Sequence, residues 1–332
     1  MNAGKTNSNY WSGTGKLRGG RRGVQFFLVA LRLFGLRLTY VLTIPVAIYF
    51  SFTSPDVAAT MDFHRRAFGP QPWWKRRWLV FKHFFSFGLA LIDRVAVLAG
   101  MTKHFSFEFE GEKFLRNAVA EGRGVLVLTA HVGNWEAAGQ MLTRLDVPIT
   151  VTGFDKENPE VRAMINRAST KQKFKLLPLT GSPTDAIPLV AALRRGEVVA
   201  MLGDRAYGSP SARIPFFGGH APFPIGAYVM ASIAGAPLVH VFSLRGRGGR
   251  YHFIGFPPQH PKMPPHDQRP GYLKNCALNF AQDLETVLKR DPFQWYNFYP
   301  FWEKDAAPPK PENTSASNLL APGAPRLNPT KP

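Results

Sequence analysis

Cysteine is nearly absent from this sequence: Cys276 is the only one among 332 residues. A single cysteine excludes an intramolecular disulfide and a thiolate cluster for zinc or iron–sulfur, and it favours a reducing compartment. The sequence also lacks a GxSxG elbow, a Walker loop, an HExxH helix and a CxxC pair. These absences remove most hydrolase, NTPase, zinc-protease and thiol-redox functions. They also indicate that any nucleophile comes from the substrate.

Acidic residues are scarce as well. Only 22 Asp and Glu oppose 41 Lys and Arg, which gives a net charge of +19 and a pI of about 10.3. The net charge excludes an acidic chain, and the hydrophobic content of 45% excludes a disordered one. Residues 1–104 contain 15 basic and 3 acidic side chains, so most of the surplus charge lies in less than a third of the sequence.

The same part of the chain contains the most apolar run. Residues 38–55 carry no charge, and residues 24–55 contain only Arg32 and Arg37. A transmembrane helix needs about 20 apolar residues, and Pro45 is expected to kink one here. Basic clusters flank the run on both sides, so a simple crossing and a re-entrant or interfacial anchor both remain open. A buried hairpin of core helices is the alternative without a membrane.

Aromatic residues mixed with cations follow this run. Trp73, Trp74 and Trp78 alternate with the basic residues 75–77, a pattern that the lipid–water interface favours. Nucleic acid is the competing explanation of the charge, because GKLRGGRRG at 15–23 and RGRGGR at 245–250 resemble RGG-type segments. The second segment is more simply a turn between two strands. We therefore predict an anionic membrane surface as a partner, and no nucleic acid.

From residue 105 onward, apolar runs alternate with helical patterns. Such alternation predicts an α/β fold with a mostly parallel sheet covered by helices. The predicted domains are a basic flexible N-terminus at 1–22, membrane-associated helices at 23–104, an α/β catalytic domain at 105–304 and a disordered Pro/Ala-rich tail at 305–332. Strands are predicted at 105–109, 124–129, 148–152, 175–179, 197–202, 237–242 and 251–254, and helices at 113–120, 135–145, 159–171, 186–195, 224–234 and 272–290.

Two polar clusters follow predicted strands, at 130–136 and 203–205. Sites in open α/β sheets form at the carboxyl ends of strands. His131 can take a proton from a hydroxyl or amine there, and Glu136 can orient the imidazole if the histidine lies on the loop before the helix. A histidine and a glutamate at the start of one helix also serve as a cap and a surface residue, and that alternative stays open.

Four stretches in order resemble one family. HVGNWE at 131–136 resembles the histidine, four residues, acid motif of the lysophospholipid acyltransferase superfamily, in the branch of the bacterial lipid A late acyltransferases. MLGDRAYG at 201–208, residues 214–242 and DPFQWYNFYPFW at 291–302 are similar to further blocks of that branch. The opening segment also resembles the acyltransferases of aryl polyene and flexirubin pathways. The block typical of glycerol-phosphate-using branches is missing.

The resemblance implies a membrane-associated enzyme that moves a fatty acyl group from a thioester to a hydroxyl or amine of a lipid acceptor, such as lipid A or a related glycolipid or polyene lipid. The thioester co-substrate would be acyl carrier protein or coenzyme A, with no further cofactor and no metal. It implies His131 as general base and Glu136 as its orienting carboxylate. The implied location is the bacterial cytoplasmic (inner) membrane, with the catalytic domain on the cytoplasmic face. A catalytically silent membrane-bound lipid-binding or scaffold protein is the alternative function.

Further residues of the four blocks are expected to bind substrate. Arg205 is expected to bind a phosphate or steady the oxyanion, or else to form an ordinary salt bridge with Asp204 or Glu136. The predicted substrate-binding residues are Asn134, Trp135, Asp204, Arg205, Arg213, Phe216, Phe217 and Gly218. For Gln294 and Trp295 the sequence suggests no role.

Overall fold

A computed structural model describes residues 20–134, 145–154, 174–180, 182–206 and 209–303 of the chain. Three helices precede the sheet. Helix α1 (Gly20–Thr53) is followed by α2 (Val57–Phe68) and α3 (Trp73–Leu98). Helices α1 and α3 pack closely at Gly88 of α3, where a Cβ would lie only 2.3 Å from Cγ2 of Thr43 in α1.

Helix α1 combines a buried and an exposed apolar face. Its stretch Gln25–Thr53, of 29 residues, is long and apolar enough to cross a membrane, and it is the only such helix in the described part of the chain. Side chains such as Leu33, Tyr49 and Phe52 are more than 60% exposed, so the described residues leave this face uncovered. The break in helical torsion angles lies at Gly35, with φ of 72°, and not at Pro45 as predicted. Glycine adopts that φ without a Cβ clash.

The described residues include nine strands and four more helices. Seven strands form one sheet in the order β1-β9-β8-β2-β5-β3-β4, and β6 and β7 form an antiparallel hairpin. All neighbours in the sheet are parallel except β8 and β9. The elements are β1 (Ser106–Glu110), α4 (Glu112–Ala120), β2 (Val125–Thr129), β3 (Ile149–Phe154), β4 (Phe174–Leu179), α5 (Ala186–Arg194), β5 (Val198–Leu202), β6 (Ser211–Phe216), β7 (Gly219–Pro224), α6 (Gly226–Ala234), β8 (Leu238–Arg245), β9 (Arg250–Gly255) and α7 (Arg269–Arg290).

Both faces of the sheet are covered, which explains the continuous apolar sequence of β2. Every residue of β2 is buried. Successive side chains of a strand point to opposite faces, so Leu126 and Leu128 join the core built with α5, α6 and α7, whereas Val125 and Val127 join the core built with α4. The predicted α/β class with a mostly parallel sheet is confirmed. The predicted helices at 135–145 and 159–171 fall almost wholly outside the described residues, as do both predicted tails.

Candidate active site

The described residues of the two predicted polar clusters, 130–134 and 203–205, lie side by side at the carboxyl end of the sheet. Strands β2 and β5 are parallel neighbours, and Thr129 is the register partner of Leu202. The N–H of Gly203 extends the ladder by donating to the carbonyl of Thr129 at 2.8 Å. His131 and Asp204 each follow their strand at the same offset, and the sheet therefore brings them together.

His131 and Asp204 form a closely fitted pair. Nδ1 of His131 lies 2.7 Å from Oδ1 of Asp204, and the backbone N–H of His131 donates to Oδ2 at 3.0 Å. Asp204 is fully buried, whereas the imidazole keeps 17% of its surface exposed. Ring and main chain of the histidine are thus both fixed by one carboxylate.

The electrostatics of the pair set its protonation state. Burial alone would raise the pKa of Asp204, but His131, Arg205 and a hydrogen bond from Trp295 together lower the pKa to about 2. Asp204 is therefore ionised and accepts from Nδ1–H, which leaves the lone pair on Nε2. Burial and the positive charge of Arg205 lower the pKa of His131 from its ordinary value, against the opposite effect of Asp204. The imidazole is neutral near pH 7 and can accept a proton at Nε2.

Residues 291–303, called the C-terminal segment below, contact this pair. The indole Nε1 of Trp295 donates to Oδ2 of Asp204 at 3.0 Å, and the N–H of Tyr296 donates to the carbonyl of His131 at 2.8 Å. Trp295 is fully buried. The sequence suggested no role for Trp295, and the structure supplies one, since its indole holds the second carboxylate oxygen.

Gln294 fixes the loop that carries the histidine. Its carbonyl accepts from the N–H of Gly133 at 2.9 Å. Its side chain accepts from the N–H of Arg245 at 2.7 Å and donates to the carbonyl of the same residue at 2.8 Å. Gly133 has φ of +57°, and a Cβ there would lie 2.2 Å from the carbonyl oxygen of Ser243. Only glycine lets the histidine loop approach β8 this closely.

Arg205 lies next to the pair. Its guanidinium donates to the carbonyl of Tyr296 at 2.9 Å and lies 5.6 Å from the ring centroid of Tyr299. These contacts hold the cation against the C-terminal segment, close enough to lower the pKa of His131. The structure thus brings Arg205 to the site.

Phe216, Phe217 and Gly218, which were predicted to bind substrate, lie at the end of a hairpin. Phe216 belongs to β6 and is buried, with its ring centroid 5.4 Å from that of Trp295. Phe217 and Gly218 form the turn with φ of +45° and +70°. Arg213, on the same strand, is 60% exposed and pairs with Glu303 at 2.6 Å. The structure therefore brings Phe216 to the site, whereas the observed contact of Arg213 is an exposed ion pair.

Asn134 is buried. Trp135 and Glu136 lie outside the described residues, so their assigned roles stay predictions. Among the described residues, no group of three or more His, Cys, Asp or Glu could hold a metal ion.

A buried charge ties the N-terminal helices to the sheet. Asp93 of α3 is fully buried and accepts from Nε of Arg245 at 2.6 Å, from the hydroxyl of Tyr251 at 2.5 Å and from the hydroxyl of Tyr40. Sequence reasoning missed this cluster. The available signal was an isolated acid within an otherwise apolar and basic segment.

Two buried histidines form a second link. Nε2 of His64 lies 3.1 Å from Nδ1 of His83, and Nε2 of His83 lies 2.9 Å from the carbonyl of Trp295. Burial lowers the pKa of His83 to about 4, and burial together with His83 lowers the pKa of His64 to about 2. Both rings are neutral, and they connect α2 and α3 to the segment that holds Asp204.

Comparison with known proteins finds relatives of this chain. The chain is 26% identical over 200 residues to the phosphatidylinositol mannoside acyltransferase of Mycobacterium tuberculosis. The matched region covers 59% of this chain and 60% of the relative. The chain is 24% identical over 195 residues to the protein of that name from Mycolicibacterium smegmatis, covering 58% and 60%. It is 25% identical over 180 residues to the lipid A biosynthesis palmitoleoyltransferase of Escherichia coli, covering 52% and 56%. The chain thus spans 60% or less of the length of these relatives.

The resemblance drawn from the four sequence motifs is confirmed at the level of the family, whereas the polyene subgroup stays a prediction. Residues 23–304 match the model of one family, and this range includes helices α2 and α3, all nine strands and the segment that closes over His131. The chain belongs to the bacterial lipid A biosynthesis acyltransferase family.

Proposed function

We propose that this protein is an acyltransferase that moves a fatty acyl group from a thioester to a hydroxyl or amine of a membrane lipid. The observation that carries the proposal is the 2.7 Å contact between His131 Nδ1 and Asp204, which leaves Nε2 as the proton acceptor. The family and the names of its relatives support the reaction class.

The chemistry follows from the state of the pair. Nε2 of His131 takes the proton of the acceptor hydroxyl as its oxygen attacks the thioester carbonyl carbon. Asp204 stabilises the imidazolium that forms. The tetrahedral intermediate then collapses, the C–S bond breaks, and the thiolate leaves with the proton that the imidazolium returns. The products are an ester and a free thiol, so no metal or redox partner enters the balance.

Arg205 supplies the nearby positive charge. Its guanidinium is fixed against the carbonyl of Tyr296, beside the site where the oxyanion would form. A cation in a partly buried site stabilises a developing negative charge more strongly than water does. The guanidinium of Arg205 would bind a phosphate of the donor or of the acceptor equally well.

The orienting carboxylate is assigned here to Asp204. Its two oxygens contact ring and backbone of His131, and Nδ1 is thereby occupied. A second carboxylate could reach the ring only at Nε2, the atom that must accept the proton. Glu136 remains the carboxylate that the resemblance implies, and comparing the two variants decides between them.

The proposed setting is the cytoplasmic face of the inner membrane, and acyl carrier protein or coenzyme A is the proposed donor. The uncovered apolar face of α1 and the exposed Trp73, Trp74 and Trp78 support attachment to lipid. The surplus of basic side chains suits an acidic carrier protein or the phosphates of coenzyme A.

The test is transfer of a labelled acyl group to membrane lipids by the full-length protein, with acyl carrier protein and coenzyme A thioesters compared. We expect His131→Ala and Asp204→Asn to reduce transfer on the order of 10³-fold or more while the fold is retained. Glu136→Gln should reduce it far less. Undiminished transfer by His131→Ala would refute the mechanism. Lipid binding without turnover by the unaltered protein would favour the scaffold alternative.

A further inference from the structure

A cavity separate from the His131 pair lies between α2 and α3. Its volume is 340 Å³. It is walled by the second half of α2, the connection at 69–71 and the first turns of α3, and neither His131 nor Asp204 contributes to it. The lining residues used below are Asp62, His64, Arg65, Gln71, Arg76 and Leu79.

The cavity carries charges of both signs. Arg65 pairs with Asp62 at 2.8 Å, and Asp62 also accepts from Nε of Arg66 at 3.3 Å. Arg76 is exposed on the first turn of α3, and no ion pair to it occurs within the described ranges. Two cations and one carboxylate at the same opening suit a ligand that has an anionic group and a hydrogen-bond donor.

His64, which lines the cavity, carries a buried polar atom without a partner among the described residues. The carbonyl of Trp295 can only accept, so Nε2 of His83 must donate to it, and Nδ1 of His83 must accept from Nε2–H of His64. Nδ1 of His64 is therefore a lone pair. It is buried and has no hydrogen-bond partner among the described residues, on a side chain that is 3% exposed. A buried acceptor without a partner is costly, and it is the only polar side-chain atom that His64 can offer to the cavity.

The position of the cavity favours a lipid as its occupant. Trp73, Trp74 and Trp78 lie on the same turns of α3 and are 72%, 59% and 56% exposed. Exposed tryptophans next to cations occur where lipid headgroups meet water. Helix α1, which packs along α3, presents the uncovered apolar face described above.

We propose that this cavity binds a phospholipid headgroup, with the phosphodiester against Arg65 and Arg76 and a terminal ammonium or hydroxyl donating to His64 Nδ1 and Asp62. A soluble phosphodiester has the same headgroup chemistry but lacks the acyl chains that would lie against the apolar face. Because the proposal concerns binding alone, it does not depend on acyl transfer.

The ligands for the test differ by one feature each. Short-chain phosphatidylethanolamine has an N–H donor, phosphatidylcholine has a quaternary ammonium without one, and glycerophosphoethanolamine has no acyl chains. Binding to the detergent-solubilised full chain is measured by isothermal calorimetry. We expect phosphatidylethanolamine to bind more tightly than the other two. Equal affinity for phosphatidylcholine would overturn the donor contact, and equal affinity for glycerophosphoethanolamine would overturn the lipid assignment.

Adjacent arginines provide the matched variants. Arg76 lines the cavity, whereas Arg77, which is also exposed on the same turn, lies 5.3 Å from the ring of Phe52. Arg76→Gln should weaken phosphatidylethanolamine binding about tenfold, the size of one charged hydrogen bond, while Arg77→Gln should leave it unchanged. Equal losses in both variants would show general attraction to the basic surface and overturn the site. No loss in either variant would overturn it as well.

Discussion

The indole Nε1 of Trp295 donates a 3.0 Å hydrogen bond to Oδ2 of Asp204, the carboxylate whose Oδ1 lies 2.7 Å from Nδ1 of His131. Trp295 therefore positions Asp204, the acid that we propose to orient His131. Trp302 is a natural reference, because its indole donates at 2.7 Å to the carbonyl of Phe216 in the same aromatic cluster.

We expect Trp295→Phe to lower kcat roughly tenfold and leave KM little changed, since the carboxylate loses one of its fixed donors. Trp302→Phe removes an indole hydrogen bond of similar burial, so its thermal stability should fall by a comparable amount while kcat is retained. Steady-state kinetics and thermal melts of both variants measure the two effects. Equal losses of kcat would assign Trp295 a purely structural role.

The pH dependence of transfer should report the neutral form of His131. Because burial and Arg205 lower the pKa of His131, kcat/KM should rise with pH along a limb whose apparent pKa lies below 6.5. Arg205→Gln removes a positive charge that opposes protonation, so the pKa should rise and the limb should move to higher pH. Arg213→Gln, at an arginine paired with Glu303, should leave the limb in place. A shift to lower pH in Arg205→Gln would contradict this electrostatic account.

The sequence predicted His131 as the base at the end of a strand, because β2 is a buried apolar run that ends just before a polar cluster. It could not show that Asp204 lies against His131. That contact depends on β2 and β5 being sheet neighbours, although 73 residues separate the two side chains. The sequence showed only that His131 and Asp204 each come two residues after the end of an apolar run.

Other parts of the site depend on long-range contacts in the same way. The hairpin β6–β7 was not predicted, since Pro215 and Pro222 break a strand pattern and are tolerated here only because the hairpin has two edges. The roles of Gln294, Trp295 and His83 arise where distant segments meet. Local sequence patterns predict helices and strands, whereas contacts between distant segments depend on how those helices and strands pack.

Gly133 should be intolerant of any side chain. Its φ is +57°, and a Cβ would lie 2.2 Å from the backbone of Ser243, which cannot move without displacing β8. We expect Gly133→Ala to abolish most transfer and to lower stability by several kcal/mol. Gly218→Ala shares the positive φ, at +70°, but meets no atom within 4 Å. It should cost only about 1 kcal/mol. Chemical denaturation compares the two, and similar values would argue against the close approach.

Asp93 should be essential for joining the N-terminal helices to the sheet. Removing its charge leaves Arg245, 13% exposed, without its partner in a buried site. Asp93→Asn should therefore cost about 3–5 kcal/mol. Glu112→Gln breaks the exposed pair with Arg116 in α4 and should cost less than about 1 kcal/mol. Denaturant midpoints give both values, and a small effect at Asp93 would show that packing alone holds the helices.

The buried histidines should make stability depend on pH. Burial holds the pKa of His83 at about 4 in the folded chain, against an ordinary value of about 6.5 in the unfolded chain. Between these values the unfolded chain binds the extra proton, so stability is complete above pH 6.5 and is lost as the pH falls toward 4. The full loss from this one group is about 3 kcal/mol. His83→Gln keeps a donor for the carbonyl of Trp295 but cannot be protonated, and its melting temperature should fall less steeply over that range. His266→Gln, at an exposed histidine, should follow the unaltered protein. Parallel curves for all three proteins would mean that His83 is protonated equally in the folded and unfolded states.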